Sequence, residues 1–211
     1  MSTQHIIIFG ATGGTGRELV RQALDRGHRV TAFVRDPARL PIRHDQLLLV
    51  RGDVLQPDTI PPALAGQDAV LCALGRKPFI SEPVCSVGTK NVLTEMARQG
   101  VRPIVVETSV GVGDSFARCG LFQKFLFRTV LRSYFADKAL QEQYVRDSDL
   151  DWTIVRPVAL TNGPATDSLR ASMDVQFRGM AAPSVSRADV ARFMLDRLER
   201  PAFVHQCPIL Y

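Results

Sequence analysis

The chain has 211 residues, of which 45% are hydrophobic and 22% are charged, values that are ordinary for a soluble globular protein with a substantial core. Its formal net charge of +5 comes from scattered arginines rather than basic blocks, which favours a solvated surface and indicates neither a nucleic-acid nor a membrane partner. An anionic ligand fits the same charge, and no apolar run is long enough to span a membrane.

The first predicted strand, Ile6–Phe9, ends in a glycine-rich turn that precedes a helix predicted over residues 15–26. In the spacing Gly10-x-x-Gly13-x-x-Gly16, Gly10 makes the turn, Gly13 admits a pyrophosphate and Gly16 packs the helix against the strand. The free N–H groups and the dipole of a helix N-terminus attract phosphate. The pattern therefore predicts a dinucleotide site; the alternative is a turn between strand and helix that binds no ligand.

The second predicted strand, Val30–Val34, is followed by Arg35, at the position where an acidic residue would bind the ribose 2′-hydroxyl of NAD. Arg35, with Arg39 nearby, instead favours the 2′-phosphate of NADP(H). Two alternatives stay open: Arg35 is an ordinary exposed arginine, or Asp36 turns inward and serves a ribose.

The third and fourth predicted strands, Leu47–Val50 and Ala69–Ala73, lead into further candidate cofactor contacts. Asp53 follows the third strand and is placed either to accept a hydrogen bond from the adenine amino group or to cap a turn. At the end of the fourth strand, the run Ala73-Leu74-Gly75 lets the backbone pass close to the cofactor ribose. A helix is predicted over 57–65 between these strands.

The fifth predicted strand, Ile104–Val106, follows a helix predicted over 84–99 and leads into Thr108 and Ser109. Both hydroxyls come at the position expected for a nicotinamide ring. Ser109 is the candidate for polarising a substrate carbonyl or ring nitrogen; the alternative is that it caps the next turn.

One long helix is predicted over 121–147. Within it, Tyr134 and Lys138 have the Tyr-x-x-x-Lys spacing, which places both side chains on one face, one turn apart. The lysine ammonium would help the phenol to pass a proton and would also hold the nicotinamide ribose, so both are candidate catalytic residues. Aromatic packing beside Phe135 is the alternative for Tyr134.

Apolar and basic residues fall on different sides of the same predicted helix. The apolar residues are Phe122, Phe125, Leu126, Val130 and Leu131. The basic residues are Lys124, Arg128 and Arg132. The ordinary interpretation is an amphipathic helix with a solvated basic face; the functional alternative is a cover over a flat ring system whose anionic tails meet the basic residues. A membrane-surface helix would use the same pattern, although a single short helix argues against it.

A sixth strand, Trp152–Val155, a helix over 187–199 and a terminal strand, Phe203–Leu210, complete the alternation of strands and helices. Wholly apolar central strands predict a parallel sheet covered on both faces. The predicted fold class is therefore α/β, a single doubly wound, Rossmann-type domain over 1–211. Two segments are assigned to the substrate side, 111–133 and 157–183.

The cysteines show neither C-x-x-C nor metal-ligand spacing, so no metal site is expected; they are Cys72, Cys85, Cys119 and Cys207. No charged leader with an apolar core and a cleavage site precedes the first strand. Together these observations predict a reducing, cytoplasmic setting.

Five short motifs resemble those of one known group of enzymes. They are Gly-Ala-Thr-Gly-Gly-Thr-Gly, Val34-Arg35-Asp36, Gly52-Asp53-Val54, Asp137-Lys138 and Thr153-Ile154-Val155-Arg156-Pro157. In these motifs the chain resembles the atypical short-chain dehydrogenases/reductases with NAD(P)H-binding, NmrA-like domains. Within that group it is most similar to the biliverdin-IXβ reductases, also known as NADPH-dependent flavin reductases, and the similarity covers nearly the whole chain.

The resemblance implies roles for individual residues. It assigns pyrophosphate contacts to Thr12, Gly13, Gly14 and Thr15. It assigns contacts with the 2′-phosphate to Arg35 and Arg39, and contacts with the adenine to Asp53 and Val54. Ser109 matches a serine near the nicotinamide, and Pro157 joins the predicted cofactor contacts. The departure is Ala159, which stands where those enzymes have a histidine that donates a proton, so biliverdin is a poor candidate substrate.

The sequence therefore predicts a reductase that uses NADP(H) and transfers hydride to a flavin, a quinone or a similar small conjugated acceptor. For a flavin the second proton can come from solvent, so the missing histidine matters less. One alternative is an NADP(H)-binding redox sensor that reports to a protein partner without turnover. Another is a carbonyl reductase that uses Tyr134 as an acid. The sequence specifies neither the physiological acceptor nor the oligomeric state.

Overall fold

A computed structural model describes residues 3–75, 82–166, 168–175 and 183–211. Within these ranges the main sheet has eight strands and a second, small sheet has two. The strands are β1 (His5–Phe9), β2 (Arg29–Val34), β3 (Leu47–Arg51), β4 (Ala69–Cys72), β5 (Pro103–Glu107), β6 (Asp151–Pro157), β7 (Ala159–Thr161), β8 (Ala171–Ser172), β9 (Ser184–Ser186) and β10 (Ile209–Leu210). The helices are α1 (Gly14–Asp25), α2 (Pro61–Leu64), α3 (Val84–Gln99), α4 (Leu121–Arg128), α5 (Arg132–Arg146) and α6 (Arg187–Glu199).

The main sheet confirms the predicted doubly wound α/β fold. Its strand order is β3-β2-β1-β4-β5-β6-β10-β8, and neighbouring strands run parallel except β8, which is antiparallel to β10. Ile6 of β1 pairs with Val30 of β2 on one side and with Ala69 of β4 on the other. The winding reverses at β1, so a crevice opens at the carboxyl ends of β1 and β4.

Successive residues of β1 face opposite sides of the sheet, and both sides are buried. Ile6 and Ile8 pack into the apolar cluster beneath α1 and α6. Ile7 and Phe9 pack into the second cluster, beneath α2 and α3. Burial on both faces is the reason that the wholly apolar run predicted this strand correctly.

Two helices have the boundaries that the sequence predicts because local signals set their ends. α3 ends at Gly100, whose φ of +73° is left-handed and whose N–H donates to the Met96 carbonyl oxygen. α6 begins after Ser186, whose hydroxyl oxygen accepts from the Asp189 N–H at 2.9 Å.

The single helix predicted over 121–147 is wrong, because the chain forms α4 and α5 with a break at residues 129–131. Thr129 and Val130 are β-branched and weak helix formers. The Thr129 hydroxyl also donates to the Phe125 carbonyl oxygen at 2.8 Å, a local bond that competes with helix continuation. The break separates the basic residues of α4 from Tyr134 and Lys138 on α5.

Two other predicted elements are shorter than expected. The terminal strand contains only Ile209–Leu210, because Phe203 and His205 have φ of 61° and 57°, which a strand cannot accommodate. The helix predicted over 57–65 is a 3-10 turn followed by the short α2. The segment predicted around 157–183 contributes β7 and β8, and its residues 167 and 176–182 lie outside the described ranges.

All four cysteines are free and buried, and burial raises the pKa of Cys85 and of Cys207 to about 11.

Among the described residues, no group of three or more His, Cys, Asp and Glu side chains is arranged to hold a metal ion. In the same part of the chain, none of the helices has the length and apolar character needed to cross a membrane.

Candidate cofactor and acceptor site

The glycine-rich turn between β1 and α1 is fixed by backbone contacts. Gly10 has a φ of +80°, a left-handed conformation that favours glycine, and a Cβ there would lie 2.3 Å from the Ala73 carbonyl oxygen. A Cβ on Gly16 would lie 2.1 Å from the Gly10 carbonyl oxygen. Both positions therefore require glycine, and α1 packs directly on the turn.

The N-terminus of α1 lies at the carboxyl edge of the sheet, beside the crevice. Its N-cap, Gly13, makes no side-chain hydrogen bond, and both Gly13 and Gly14 are exposed, with Thr12 half-buried beside them. The helical bonding begins with the Arg17 N–H, which donates to the Gly13 carbonyl oxygen at 2.9 Å. The N–H groups of the first turn can therefore receive phosphate oxygens, as the sequence predicts.

The loop after β2 collects guanidinium groups. Arg35 and Arg39 are exposed, and among the described residues neither forms an ion pair. The Asp36 carboxylate accepts from the Ala38 N–H at 3.1 Å and so caps the following turn instead of facing a ribose. Arg17 donates through Nη2 to the Arg39 carbonyl oxygen at 2.9 Å, which adds a third cation that the sequence prediction missed.

In the loop after β3, Asp53 caps a turn, which is the alternative to the predicted adenine contact. The Asp53 carboxylate accepts from the Leu55 N–H at 3.0 Å, a turn cap. Val54 is buried and packs on α3, where a Cβ on Gly88 would lie 2.6 Å from its Cγ2. The adenine contacts of Asp53 and Val54 stay predictions.

Lys138 connects the ends of β4 and β5. Its side chain is buried, and Nζ donates to the carbonyl oxygens of Leu74 and Glu107, each at 3.0 Å. Burial acts to lower the pKa of this ammonium, but Cys85, Tyr134 and Glu107 together hold it above its ordinary value. The Lys138 ammonium therefore binds backbone carbonyl oxygens beneath the crevice. The sequence pattern instead predicted a contact to the nicotinamide ribose.

The end of β4 passes next to the Lys138 ammonium in the run Ala73-Leu74-Gly75. The Ala73 N–H donates to the Phe9 carbonyl oxygen at 2.9 Å, which holds the two strand ends together. Gly75 is exposed, and a Cβ there would meet no heavy atom within 4 Å. This run therefore borders the crevice, and its ribose contacts stay predictions.

Glu107, at the end of β5, is a buried carboxyl that the sequence prediction missed. The Thr15 hydroxyl donates to its Oε1 at 2.9 Å, across the base of the glycine-rich turn. Burial raises the pKa of Glu107, while Lys138, Thr15 and Arg187 offset part of that rise. Because its hydroxyl is used here, Thr15 can meet a pyrophosphate only through its backbone N–H.

Thr108 and Ser109 point in different directions. The Thr108 hydroxyl donates to Glu142 Oε1 at 2.8 Å, so this side chain faces the interior and not the predicted nicotinamide position. Ser109 is half-buried, and its hydroxyl donates to the Val110 carbonyl oxygen at 3.1 Å. The Val110 N–H donates to the Pro157 carbonyl oxygen at 3.0 Å, which places Ser109 and Pro157 close together at the carboxyl edge.

Tyr134 is half-buried on α5, one turn before Lys138. Its ring lies edge-on to Phe135, with centroids 5.6 Å apart, so the packing alternative is present. Its electrostatic effect on Lys138 also places the phenol near the ammonium. Neighbouring Asp137 accepts from the N–H groups of Cys85 and Ser86, which explains the Asp137-Lys138 pair as a cap on α3.

A buried ion pair supports the loop that carries Ser109. Arg156 donates to Glu142 through Nε at 2.9 Å and Nη2 at 2.6 Å, and both side chains are buried. Arg156 Nη1 lies 2.8 Å from Asp114, on the loop between β5 and α4. Burial disfavours the guanidinium charge, yet Glu142 and Asp114 hold the pKa of Arg156 above its ordinary value.

The small sheet of β7 and β9 leads the chain to Arg187, the first residue of α6. A Cβ on Gly14 would lie 2.4 Å from Arg187 Cδ, so this side chain lies against the α1 N-terminus. Its Nη1 donates to Asn162 Oδ1 at 2.6 Å, which orients the guanidinium. The sequence prediction missed this cation, since nothing local marks it. Ala159, on β7, is exposed and offers no proton.

We expect Arg187→Gln to weaken NADPH binding by about 10–100-fold, because a guanidinium against the α1 N-terminus would form a charge-assisted hydrogen bond to a pyrophosphate bound there. NADH binding should fall equally, since both dinucleotides contain that group, and titration calorimetry measures both constants. Arg21→Gln, at an exposed arginine of α1, is the matched control. Equal losses in the two variants, or none in Arg187→Gln, would contradict the assignment.

A cavity of about 380 Å³ opens beside residues 111–113, in the loop after β5. Phe127 and Phe135 stack in its wall with centroids 4.0 Å apart, and Arg128 lies over the Phe116 ring at 4.9 Å. Arg132 completes the basic side. A second cavity, of about 490 Å³, involves residues 100–102 at the amino end of β5, opposite the edge where ligands bind in this fold.

Comparison with known proteins identifies the family. The sequence profile of an NAD(P)H-binding family matches residues 10–201. The chain belongs to this NAD(P)H-binding family. The match begins at Gly10 and extends into the loop after α6, so it includes both the glycine-rich turn and Arg187.

Proteins that are similar to this chain differ in their descriptions. An uncharacterised chloroplast protein of Arabidopsis thaliana is 32% identical over 208 residues, which cover 94% of this chain and 73% of that protein. The photosystem II assembly factor Ycf39 of Synechocystis is 26% identical over 162 residues, which cover 75% of this chain and 45% of the factor. ChuY, described as an anaerobilin reductase from Escherichia coli, superposes with a TM-score of 0.81 and 25% identity, covering 98% of this chain and 96% of ChuY.

Proposed function

We propose that this chain is an NADPH-dependent reductase that transfers hydride to a flavin, a quinone or a similar small conjugated acceptor. The observation that carries the proposal is the cavity at residues 111–113, lined by three phenylalanine rings and two arginines. Aromatic walls bind flat conjugated rings, and guanidinium groups bind the anionic tails that such molecules carry. The reductase described for ChuY supports an acceptor of this type.

The residues present fit a dinucleotide. The turn at Gly10 and Gly16 packs too closely for side chains, and the N–H group of the exposed Gly14, at the start of α1, offers a donor to a pyrophosphate. A bound NADPH supplies the hydride, and the chain supplies binding and orientation. Ser109 would reorient its hydroxyl from the Val110 carbonyl toward the acceptor. Solvent would supply the second proton, because Ala159 cannot.

Arg35 and Arg39 should select NADPH over NADH. We expect Arg35→Ser and Arg39→Ser each to raise the KM for NADPH by about 10–100-fold through loss of charge-assisted bonds to the 2′-phosphate. The KM for NADH should stay unchanged. Arg43→Ser, at an exposed arginine of the same loop, is the control. Equal effects on the two cofactors would show that neither arginine reads the 2′-phosphate.

The proposed function is tested by NADPH oxidation with purified protein and a panel of riboflavin, flavin mononucleotide, quinones and a linear tetrapyrrole. We expect turnover above background with at least one of them. No turnover with any acceptor, by a protein that binds NADPH, would reject the proposal.

A second candidate is a redox sensor that binds NADP(H) without turnover. It is favoured by the hydrogen bonds of Ser109 and Lys138, both of which are made to backbone carbonyls. The assembly factor among the relatives supports it as well. A carbonyl reductase would instead require Tyr134 as its acid.

Two variants separate these candidates. For the flavin or quinone reductase, we expect Ser109→Ala to lower kcat/KM by about 3–10-fold, the loss of one hydrogen bond, while Tyr134→Phe keeps acceptor reduction within about two-fold. Steady-state kinetics measure both. Loss of carbonyl turnover in Tyr134→Phe would favour the carbonyl reductase. If both variants retain every activity that the wild type shows, the sensor is favoured.

A further inference from the structure

The outer side of α4 exposes large apolar side chains. Leu121, Phe122 and Phe125 are 87%, 67% and 66% exposed, and Phe125 lies one turn from each of the other two, at i+4 from Leu121 and i+3 from Phe122. We call these three residues the α4 apolar face. Single exposed apolar residues are ordinary, but three large ones side by side mark a contact surface.

Contacts on the opposite side fix the orientation of the helix. Phe127 stacks on Phe135 of α5, and its ring would contact a Cβ on Gly111 at 2.4 Å. The Gln123 side chain accepts from the Gly120 N–H at 3.1 Å and closes the helix N-terminus. The α4 apolar face therefore points away from the rest of the chain that the structure describes.

The chain segment that contains this face carries basic and no acidic side chains. Residues 115–136 contain four basic residues and no acidic residue, in a chain whose net charge is only +5. Arg118 pairs with Asp174, whereas Lys124, Arg128 and Arg132 form no ion pair within the described ranges. Lys124 and Arg128 both approach the Phe116 ring, at 5.8 and 4.9 Å. On α4, Lys124 is three residues after Leu121 and Arg128 is three residues after Phe125, so both border the apolar face.

We propose that the α4 apolar face inserts into an anionic membrane surface, with Lys124 meeting the lipid phosphates. A lipid surface offers hydrocarbon and negative charge within the depth of one helix, and this combination suits Leu121, Phe122 and Phe125. A nucleic acid or an acidic protein surface would satisfy the cations but leave the apolar face in water or against polar groups. This inference does not depend on the proposed reductase activity.

The proposal departs from the sequence-based expectation of no membrane partner. That expectation treated Phe122 and Phe125 as one side of a long helix, where they would cover a core or a ligand. The break at residues 129–131 makes α4 a separate helix. Because Phe127 packs on Phe135, Phe122 and Phe125 lie on the solvent side of α4.

Vesicle sedimentation with the full chain tests the proposal. We use vesicles of phosphatidylcholine alone and vesicles with about one third phosphatidylglycerol, and expect binding to the anionic vesicles that weakens as salt increases. The double variant Phe122→Ser/Phe125→Ser should lose at least about ten-fold in partitioning, and Lys124→Glu several-fold. Leu48→Ser, at a 59% exposed leucine on β3, is the matched control and should bind like the wild type.

Circular dichroism and NADPH binding should be unchanged in Phe122→Ser/Phe125→Ser, since both side chains are exposed. Absence of binding to anionic vesicles, equal binding to neutral ones, or equal loss in Leu48→Ser would overturn the proposal. A dimer that sedimentation velocity detects in the wild type and not in the double variant would overturn it too, because the face would then contact a second copy. Failure of the reductase assay, by contrast, leaves the vesicle result unaffected.

Discussion

Replacing Arg156 with methionine should lower the free energy of unfolding by about 3–5 kcal/mol, because the buried Glu142 carboxylate loses both of its hydrogen bonds from the Arg156 guanidinium. Methionine keeps an unbranched, flexible apolar side chain at this position, so the loss of the guanidinium group is the main change. Thr108 and Arg146 lie within reach of Glu142 but cannot replace two direct hydrogen bonds from a guanidinium. Guanidinium chloride unfolding, followed by circular dichroism, measures the effect.

The double variant Arg156→Met/Glu142→Met is the decisive comparison. Removing both charges leaves no buried carboxylate, so it should be more stable than Arg156→Met. Catalytic efficiency should fall in both, since Asp114 loses the contact that holds the Ser109 loop. If the single variant lost less than about 1 kcal/mol, the pair would not act as a buried support, and its loss would resemble that of a surface ion pair.

Gly16→Ala is the second change with a large expected effect. Its Cβ would meet the Gly10 carbonyl oxygen at 2.1 Å and Ala11 Cα at 2.8 Å, and both are backbone atoms that cannot rotate away. We expect a loss of about 1–3 kcal/mol in unfolding free energy, as for overpacked cores. We also expect NADPH affinity to fall by roughly ten-fold or more, because α1 must shift from the turn.

Gly13→Ala should separate binding from folding. A Cβ there would lie 3.2 Å from the Gly10 carbonyl oxygen, which small shifts can relieve, so stability should change little. The methyl group would still occupy the space that a pyrophosphate needs, so NADPH affinity should fall as in Gly16→Ala. Gly163→Ala, with only the Thr161 hydroxyl within 4 Å, is the control for both measurements. Unchanged affinity in Gly13→Ala would place the phosphates elsewhere.

The fold could be predicted well because its signals are local. Apolar runs marked β1 and β2 to within a residue, and Gly100 marked the end of α3. The predictions of one helix over 121–147 and of a long terminal strand failed because local conformations interrupt the regular structure. Thr129 bonds back to Phe125, and Phe203 has a left-handed backbone. In these cases periodicity alone cannot tell which local geometry wins.

The candidate site was less predictable, because its partners are distant in sequence. Thr15 and Glu107 are 92 residues apart, and Lys138 reaches a carbonyl 64 residues before it. The sequence placed Lys138 correctly on one helix face with Tyr134 but could not show that backbone carbonyls would take its ammonium. Arg187 reaches the glycine-rich turn only through the sheet topology.

The burial of the four thiols has a practical consequence. A neutral, enclosed thiol reacts slowly with alkylating agents and peroxide, so the native chain should withstand mild oxidation. Cys72 lies in the central sheet and Cys207 just before β10, so a reagent reaches them only when the surrounding structure opens. The alkylation rates of Cys72 and Cys207 would thus measure how often the sheet unfolds locally around each thiol.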